Sequence, residues 1–195
     1  DTFTGFKFMA EKKNALERAG EGKVIMSYEE SYGYMLGDYV RDKDAVTASL
    51  ILTEMAAWYA TQGMTLYDAI LALSEKYGWY GEKTHNLVMP GLDGLEKMAK
   101  LMKSLRDEPP AQISGVTVSV RKDYSDGSVI DCATDTKSAM ELSGSNVLRY
   151  ELADGTTIFA RPSGTEPKIK VYILTIGKDA AERDENLAKY SPWVE

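Results

Sequence analysis

Two chemically versatile residue types are nearly absent from this sequence, which has one cysteine, Cys132, and one histidine, His85, among 195 residues. A single cysteine excludes an internal disulfide and is typical of a reducing compartment, so we expect a cytoplasmic location. A Cys132 thiol activated by His85 is disfavoured, because nothing beside either residue supplies an oxyanion site or an orienting group.

Basic charge and long apolar runs are also scarce. The chain has 23 Lys and Arg against 30 Asp and Glu, a net charge of −7, whereas nucleic acids and membrane surfaces usually require a basic face. We therefore expect no nucleic acid and no membrane as a partner, although a small anion needs only a local cluster of donors. No apolar run approaches the roughly 20 residues that cross a bilayer, and no signal segment opens the chain.

The residues that are present indicate a packed core, since 44% are hydrophobic and twelve tyrosines are included. Apolar periodicity and glycine or proline boundaries predict helices and strands along the whole chain. The predicted helices cover 5–20, 42–63, 65–78, 91–105 and 179–190, and the predicted strands cover 23–27, 79–89, 116–124, 147–160 and 168–177. Helix 42–63 is apolar around most of its circumference, so we expect it to be deeply packed. The segment 125–146 is interpreted as a loop with a short helix.

A charged, double-proline connector, RDEPPAQISG at 106–115, divides the chain by composition and predicts a domain boundary. Residues 1–106 read as α/β, and residues 112–195 read as a small α+β domain with a mainly antiparallel sheet. In the second part, Asp154-Gly155 between two alternating runs predicts a β-hairpin.

The loop YEESYG at 28–33 is the first candidate site. Glu29 and Ser31 share one side of an extended backbone, where a carboxylate and a hydroxyl suit the hydroxyls of a polyol. Gly33 allows the chain to turn directly afterwards. Lys43, at the start of the next predicted helix, can donate to a phosphate or hydroxyl nearby. A solvated turn and a charged helix start are the plain structural alternatives.

The segment RPSGTEP at 161–167 is the second candidate site, and it lies between two predicted strands. Arg161 offers a fork of donors for a phosphate or carboxylate, and the hydroxyls of Ser163 and Thr165 add to it. Gly164 leaves backbone N–H groups open, while the two prolines stiffen the loop. We expect Glu166 to point outward. These residues alone are equally compatible with an anion site and with a turn that carries polar side chains but binds no ligand.

Three stretches together resemble the α-D-phosphohexomutases, the phosphoglucomutase/phosphomannomutase family. They are TGFK at 4–7, EESYG at 29–33 with DKD at 42–44, and RPSGT at 161–165, in the family's order. The resemblance implies an incomplete three-layer α/β/α third domain in residues 1–106, truncated at its N-terminus, and the family's fourth domain in residues 112–195. Because the first residue is Asp1 and not methionine, we expect either a processed product or an excised piece of a longer protein.

The resemblance also implies roles for residues of this sequence. Thr4, Gly5, Glu29 and Ser31 would contact the sugar, and Lys43 would be a nearby contact or proton donor. Arg161, Ser163, Gly164 and Thr165 would bind the phosphate that is not being transferred. The loop EESYGY is similar to that of bacterial phosphoglucomutases, which favours glucose phosphate among the hexose phosphates.

The family's activity is that of an intramolecular phosphotransferase, which interconverts hexose 1-phosphate and hexose 6-phosphate through a phosphoserine and a bisphosphate intermediate. It implies magnesium in the full-length parent, but no stretch here resembles the family's phosphoserine loop or its aspartate-rich metal loop. We therefore expect this chain to bind no metal, to depend on N-terminal domains of the same polypeptide, and to be inactive alone. A stand-alone sugar-phosphate or anion-binding module and a regulatory fragment with vestigial loops are the alternatives.

Overall fold

The computed structural model describes residues 2–29, 31–164 and 166–195. The helices in these ranges are α1 (Phe6–Ala19), α2 (Ala45–Thr61), α3 (Leu66–Tyr77), α4 (Gly94–Asp107) and α5 (Ala180–Val194). The strands are β1 (Met26–Tyr28), β2 (Tyr34–Leu36), β3 (Trp79–Val88), β4 (Gln112–Ile113), β5 (Val116–Asp123), β6 (Ser128–Asp131), β7 (Thr136–Ala139), β8 (Leu148–Leu152), β9 (Thr157–Pro162) and β10 (Lys168–Gly177). None of the described helices is long and apolar enough to cross a membrane.

The chain divides within α3 into two compact units, Asp1–Ala72 and Leu73–Glu195. In the first unit, β1 and β2 pair antiparallel. Helix α1 ends at Gly20 in the left-handed conformation with φ 68°, which confirms the predicted glycine cap. Lys13 of α1 is fully buried and donates to the carbonyl of Gly37, just after β2. This buried contact ties α1 to the end of the two-stranded sheet.

Helix α2 confirms the predicted helix but not its predicted deep packing. Ala48 is its one buried residue among those described, whereas Leu50 is 59% exposed and Trp58 is 58% exposed. A helix that is apolar all round needs neighbours on several sides, and the described residues of this unit offer a sheet of only two short strands. A large apolar surface on α2 is therefore left uncovered by its own unit.

The second unit is built on an antiparallel sheet, as predicted. Within the described residues its strand order is β3-β10-β9-β8-β5-β6-β7, with β4 pairing to β5. The hairpin between β8 and β9 turns at Asp154-Gly155, where Gly155 has φ 84°, and this confirms the sequence prediction.

Two features of this sheet differ from the sequence analysis. Strand β3 pairs with β10 from Val88↔Lys168 to Trp79↔Gly177, so this part of the chain belongs to the second unit, whereas the predicted boundary lay at 106–112. A pairing between segments so distant in sequence leaves no trace in local periodicity. Strands β6 and β7 occupy the segment that was interpreted as a loop. Each has only four residues, and β7 is polar and exposed, so neither gives a clear alternating pattern in the sequence.

The two faces of the sheet have opposite character. On one face, alternate residues of β8, β9 and β10 form a buried core with α4 and α5. The fully or almost fully buried members of this core are Met102, Ile113, Val118, Tyr150, Ile158, Ala160, Ile169, Ile173 and Tyr190. The residues between them in β9 and β10, including Arg161 and Lys170, therefore project from the other face.

Tyr150 is a core residue whose burial changes the pKa of its hydroxyl. Its ring is 1% exposed, and its hydroxyl donates to the carbonyl of Leu105 at 3.1 Å. Burial raises the pKa of Tyr150 to about 12 from an ordinary value of 10.0, because the phenolate would lose its hydration. The folded state therefore holds this proton more tightly than the unfolded chain.

We expect loss of this proton to destabilise the second unit at high pH. A raised folded-state pKa contributes stability that is complete below pH 10 and is lost as the pH rises towards 12, by about 2 kcal/mol. Tyr150→Phe should remove this part of the pH dependence, so the stability difference between the parent and Tyr150→Phe should shrink between pH 9 and 12 in urea unfolding. The control Tyr80→Phe alters an exposed tyrosine and should leave the slope unchanged. A constant difference between parent and Tyr150→Phe would contradict the assignment.

Candidate substrate-binding loops

Three sequence motifs of the first unit meet at Lys43. The side chain of Lys43 lies over the ring of Phe6, with Nζ 5.1 Å from the ring centroid, and Phe6 follows Thr4 and Gly5 directly. The same Nζ is 4.0 Å from the carboxylate of Glu29. The structure thus brings together the predicted site residues Glu29 and Lys43 beside Phe6, which directly follows the predicted site residue Gly5.

The loop after β1 is a tight turn and not the extended segment that we predicted. The amide of Tyr32 donates to the carbonyl of Glu29 at 3.2 Å, and the amide of Glu29 donates to the carbonyl of Gly33 at 3.0 Å. Ser31 is exposed on this turn. The residue in the left-handed region is Tyr32, with φ 65°, and not Gly33. The prediction that Glu29 and Ser31 share one side of an extended backbone is therefore wrong.

Gly33 has a different role from the turn that was predicted. It is buried, and a Cβ at this position would collide with the side-chain methylenes of Lys43 and lie 2.8 Å from Oε1 of Glu29. A glycine here therefore lets Lys43 cross the loop and reach Glu29.

Lys43 is held as a cation by its neighbour. Its Nζ donates to the carboxylate of Asp42 at 3.0 Å, and this hydrogen bond raises the pKa of Lys43. The Lys43 amide donates to the same carboxylate at 2.7 Å, and this bond lowers the pKa of Asp42. Asp44 caps α2 by accepting from the amide of Val46 at 3.0 Å. A protonated Lys43 can donate a hydrogen bond or a proton to a ligand oxygen.

The second candidate loop joins the adjacent antiparallel strands β9 and β10, which confirms that RPSGTEP lies between two strands. The loop is closed by the amide of Ser163, which donates to the carbonyl of Lys168 at 2.8 Å. Its far end is fixed by the amide of Met89, which donates to the carbonyl of Pro167 at 2.8 Å. The Ser163 amide is therefore already used within the hairpin and is not available to a ligand.

Gly164 and Glu166 are both solvent-exposed in this loop. Gly164 is exposed, with open space where a side chain would stand. The Glu166 side chain is 59% exposed and pairs with Lys168 at 2.6 Å, so it points outward as expected. Thr165 was predicted to bind phosphate, but it lies outside the described residues.

Arg161 stands at the start of this loop beside a second cation. It lies directly opposite Lys170 on β10, and like charges in that position destabilise a sheet unless something compensates them. The guanidinium donates to the hydroxyl of Tyr172 at 3.3 Å, while its Nε is buried with no hydrogen-bond partner among the described residues. An oxyanion next to this pair would satisfy Nε and offset the repulsion.

Lys170 and Tyr172 extend the predicted site. Tyr172 was not proposed for this site, and Lys170 was expected only to raise the local potential. The alternation of β10 is the signal that places both on the face of Arg161. His85 and Cys132 are not brought together, since His85 is on β3 and Cys132 follows β6, with four strands between them in the sheet order. The described residues contain no group of three or more His, Cys, Asp or Glu that could hold a metal ion.

Comparison with known proteins defines the class of protein to which these loops belong. Residues 1–77 match the family model for phosphoglucomutase/phosphomannomutase alpha/beta/alpha domain III, and residues 86–186 match that for the family's C-terminal domain. The chain therefore belongs to the phosphoglucomutase/phosphomannomutase family. The first match ends with α3, and the second begins near the end of β3.

Individual relatives support this assignment. The chain is 36% identical over 173 residues to the phosphoglucomutase of Staphylococcus aureus strain bovine RF122 / ET3-1, which covers 89% of this chain and 31% of that protein. The phosphoglucomutase of strain MRSA252 is 35% identical over the same length. The open-form crystal structure of parafusin, a phosphoglucomutase from Paramecium, matches 99% of this chain and 32% of its own with a TM-score of 0.57 at 19% identity. The chain spans about a third of the length of these relatives.

Proposed function

We propose that the chain is the C-terminal portion of a hexose-phosphate mutase, and that it supplies the binding of the sugar and of the phosphate that is not transferred. The parent protein would interconvert hexose 1-phosphate and hexose 6-phosphate as an intramolecular phosphotransferase. The observation that carries this proposal is the pair Arg161 and Lys170, two cations held side by side at an open hairpin loop. The 36% identity to phosphoglucomutases of Staphylococcus aureus supports the reaction class.

On the sugar side, the geometry supports a carboxylate and a cation acting together. Glu29 would accept hydrogen bonds from sugar hydroxyls, and Lys43 would donate to a ligand oxygen as a contact or an acid. Thr4 and Ser31, which are exposed, and Gly5, which is half-buried, would complete the contacts. The Tyr32 side chain is 86% exposed and marks the loop type that favours glucose phosphate.

On the phosphate side, Arg161 would bind two phosphate oxygens through its fork, and Lys170 would add charge. Ser163, Gly164 and Thr165 would contact the phosphate from the loop. Transfer of a phosphoryl group depends mainly on position and charge, so a rigid site for the second phosphate would orient the sugar for reaction elsewhere in the parent. The family implies magnesium, but the described residues do not fit a metal site, so no step here involves one.

The apolar surface of α2 supports an association with further polypeptide. Surfaces of this kind are usually covered in a folded protein. The matched family domain is a three-layer alpha/beta/alpha domain, yet the described residues of the first unit hold two strands. We propose that further strands and helices, supplied by N-terminal domains of the same polypeptide, cover Leu50, Met55 and Trp58.

The test is binding without turnover. We expect glucose 1-phosphate to bind the 195-residue chain with a Kd of about 0.1–10 mM, because a few charge-assisted hydrogen bonds supply most of the affinity. Titration followed by NMR should shift the amides of Gly5, Lys43 and Gly164. A coupled assay that detects glucose 6-phosphate should show no mutase activity from the chain alone.

A control ligand separates recognition of the sugar from binding of a plain anion. Methyl phosphate, which lacks the sugar hydroxyls, is the control ligand and should shift Gly164 but not Lys43. Turnover by the chain alone would overturn the proposal that catalysis needs further domains. Saturable shifts at Gly164 with none at Lys43 for glucose 1-phosphate would instead indicate a plain anion-binding module.

A further inference from the structure

Strand β5 carries an irregularity that turns a charged residue towards the core. Val118 pairs with Leu152 and Val120 pairs with Glu151, so one extra residue is inserted between them. Such a β-bulge reverses the alternation that follows it and often redirects a side chain next to a site. Arg121 consequently lies opposite the buried Tyr150, on the side of the sheet that forms the core.

Arg121 lines a cavity of about 210 Å³ at this end of the core. The apolar part of its wall comes from the end of α4 and from the sheet, and it consists of Leu105, Pro109, Ile130, Leu148 and Tyr150. Polar residues complete the lining, namely Arg106, Arg121, Lys122, Asp123, Asp126 and Ser128. An apolar wall with a few convergent polar groups is typical of a small-molecule site.

Other charges around the cavity have partners within the protein. Arg106 binds Asp123 through Nε at 2.6 Å, and Lys122 pairs with Glu151 at 2.7 Å. Asp126 accepts from the amide of Ser128 at 2.9 Å. The main cationic donors other than Arg121 are therefore neutralised by neighbouring carboxylates.

Arg121 differs from these residues. Among the described residues, its buried Nε has no hydrogen-bond partner and its guanidinium has no carboxylate partner. A buried donor without an acceptor is costly, so a water molecule, an ion or a ligand is expected to satisfy it. A guanidinium binds two oxygens of a carboxylate or phosphate in one plane.

We propose that this cavity binds a small organic oxyanion, a short-chain carboxylate or phosphate ester, through the fork of Arg121. The carbon skeleton would lie against Leu148 and the ring of Tyr150, and the hydroxyl of Ser128 lies within the same lining. The cavity is large enough for several water molecules and hence for an anion of a few non-hydrogen atoms.

This site is separate from the phosphate loop of the same unit. Arg161 alternates with the buried residues Ala160 and Ile158, so it projects from the face opposite the core, whereas Arg121 is on the core side. The two arginines therefore lie on opposite faces of one sheet, and the oxyanion site does not depend on the function proposed for the loop.

The experiment is an NMR titration of the intact chain with sodium malonate and, separately, with sodium phosphate, using sodium chloride for ionic strength. We expect saturable shifts of the amides of Arg121, Ser128 and Tyr150 that chloride does not reproduce. Arg121→Gln should weaken the affinity by about tenfold or more, and Arg121→Lys by less, because lysine keeps the charge and loses the fork. Stronger binding of malonate would identify a carboxylate site, and stronger binding of phosphate a phosphate-ester site.

Control variants separate this site from its surroundings. Arg161→Ala should leave these shifts intact, and Arg18→Gln, which removes the same charge from an exposed position in the first unit, should change nothing. Circular dichroism checks that each variant is folded, and Arg121→Lys supplies the test if Arg121→Gln is not. Equal affinities of the parent, Arg121→Gln and Arg121→Lys, or shifts that chloride reproduces, would overturn the proposal.

Discussion

Replacing Arg161 with alanine is expected to weaken phosphate binding at the β9–β10 loop by one to two orders of magnitude. A hydrogen bond to a charged group contributes about 1.5–3 kcal/mol, which corresponds to roughly 10- to 150-fold in affinity. The upper part of this range applies here because the Nε of Arg161 is buried and has no partner among the described residues. The amide shifts of Ser163 and Gly164 during a phosphate titration report this site separately from the rest of the chain.

Two further variants distinguish a direct contact from a general effect of charge. Arg161→Lys keeps the charge but loses the fork, so it should fall between the parent and Arg161→Ala. Arg149→Ala removes a cation from β8, where Arg149 already pairs with Glu151 at 2.9 Å, and should reduce affinity less than threefold or so. If Arg149→Ala weakened binding as much as Arg161→Ala, the loop would be responding to overall potential, and the assigned contact would be wrong.

The position of the candidate phosphate loop was predictable from sequence because its signal is local. Alternating runs on each side of RPSGTEP identify two strands, and the chemistry of Arg161 suggests an anion. The partners that complete this site depend on which residue faces which across the sheet. Lys170 becomes a neighbour of Arg161 only through the register of β9 and β10, which no single run of residues reveals.

The features that sequence could not predict all depend on distant contacts. Strand β3 joins β10 across some 80–100 residues, so composition alone placed the boundary at the double proline and not before β3. The alternation of VTVSVRKD at 116–123 predicts that Arg121 and Val118 project from different faces of the sheet. Only the bulge against β8 brings Arg121 to the core face. Likewise, the apolar pattern of α2 indicates what the helix can bury but not which polypeptide covers it.

The alternation of buried and exposed residues along β10 predicts a large effect of one substitution on stability. Ile173 is fully buried in the middle of β10, between β3 and β9, and its neighbour Leu174 is 38% exposed on the other face. Ile173→Ala should destabilise the second unit by about 2–5 kcal/mol, because it removes buried methyl groups and leaves a cavity. Leu174→Ala removes a similar apolar volume and should cost about 1 kcal/mol or less, because part of its surface already contacts water.

Urea unfolding can measure this contrast if the second unit is observed separately. Trp79 and Trp193 belong to that unit, and Trp58 belongs to the first, so a Trp58→Phe background restricts tryptophan fluorescence to the second unit. The two alanine variants should then differ by several kcal/mol in the free energy of unfolding, with similar slopes against urea. Equal destabilisation would mean that the two faces are buried alike. Arg161 and Lys170 would then lie beneath a covering layer instead of on the open face that a phosphate must reach.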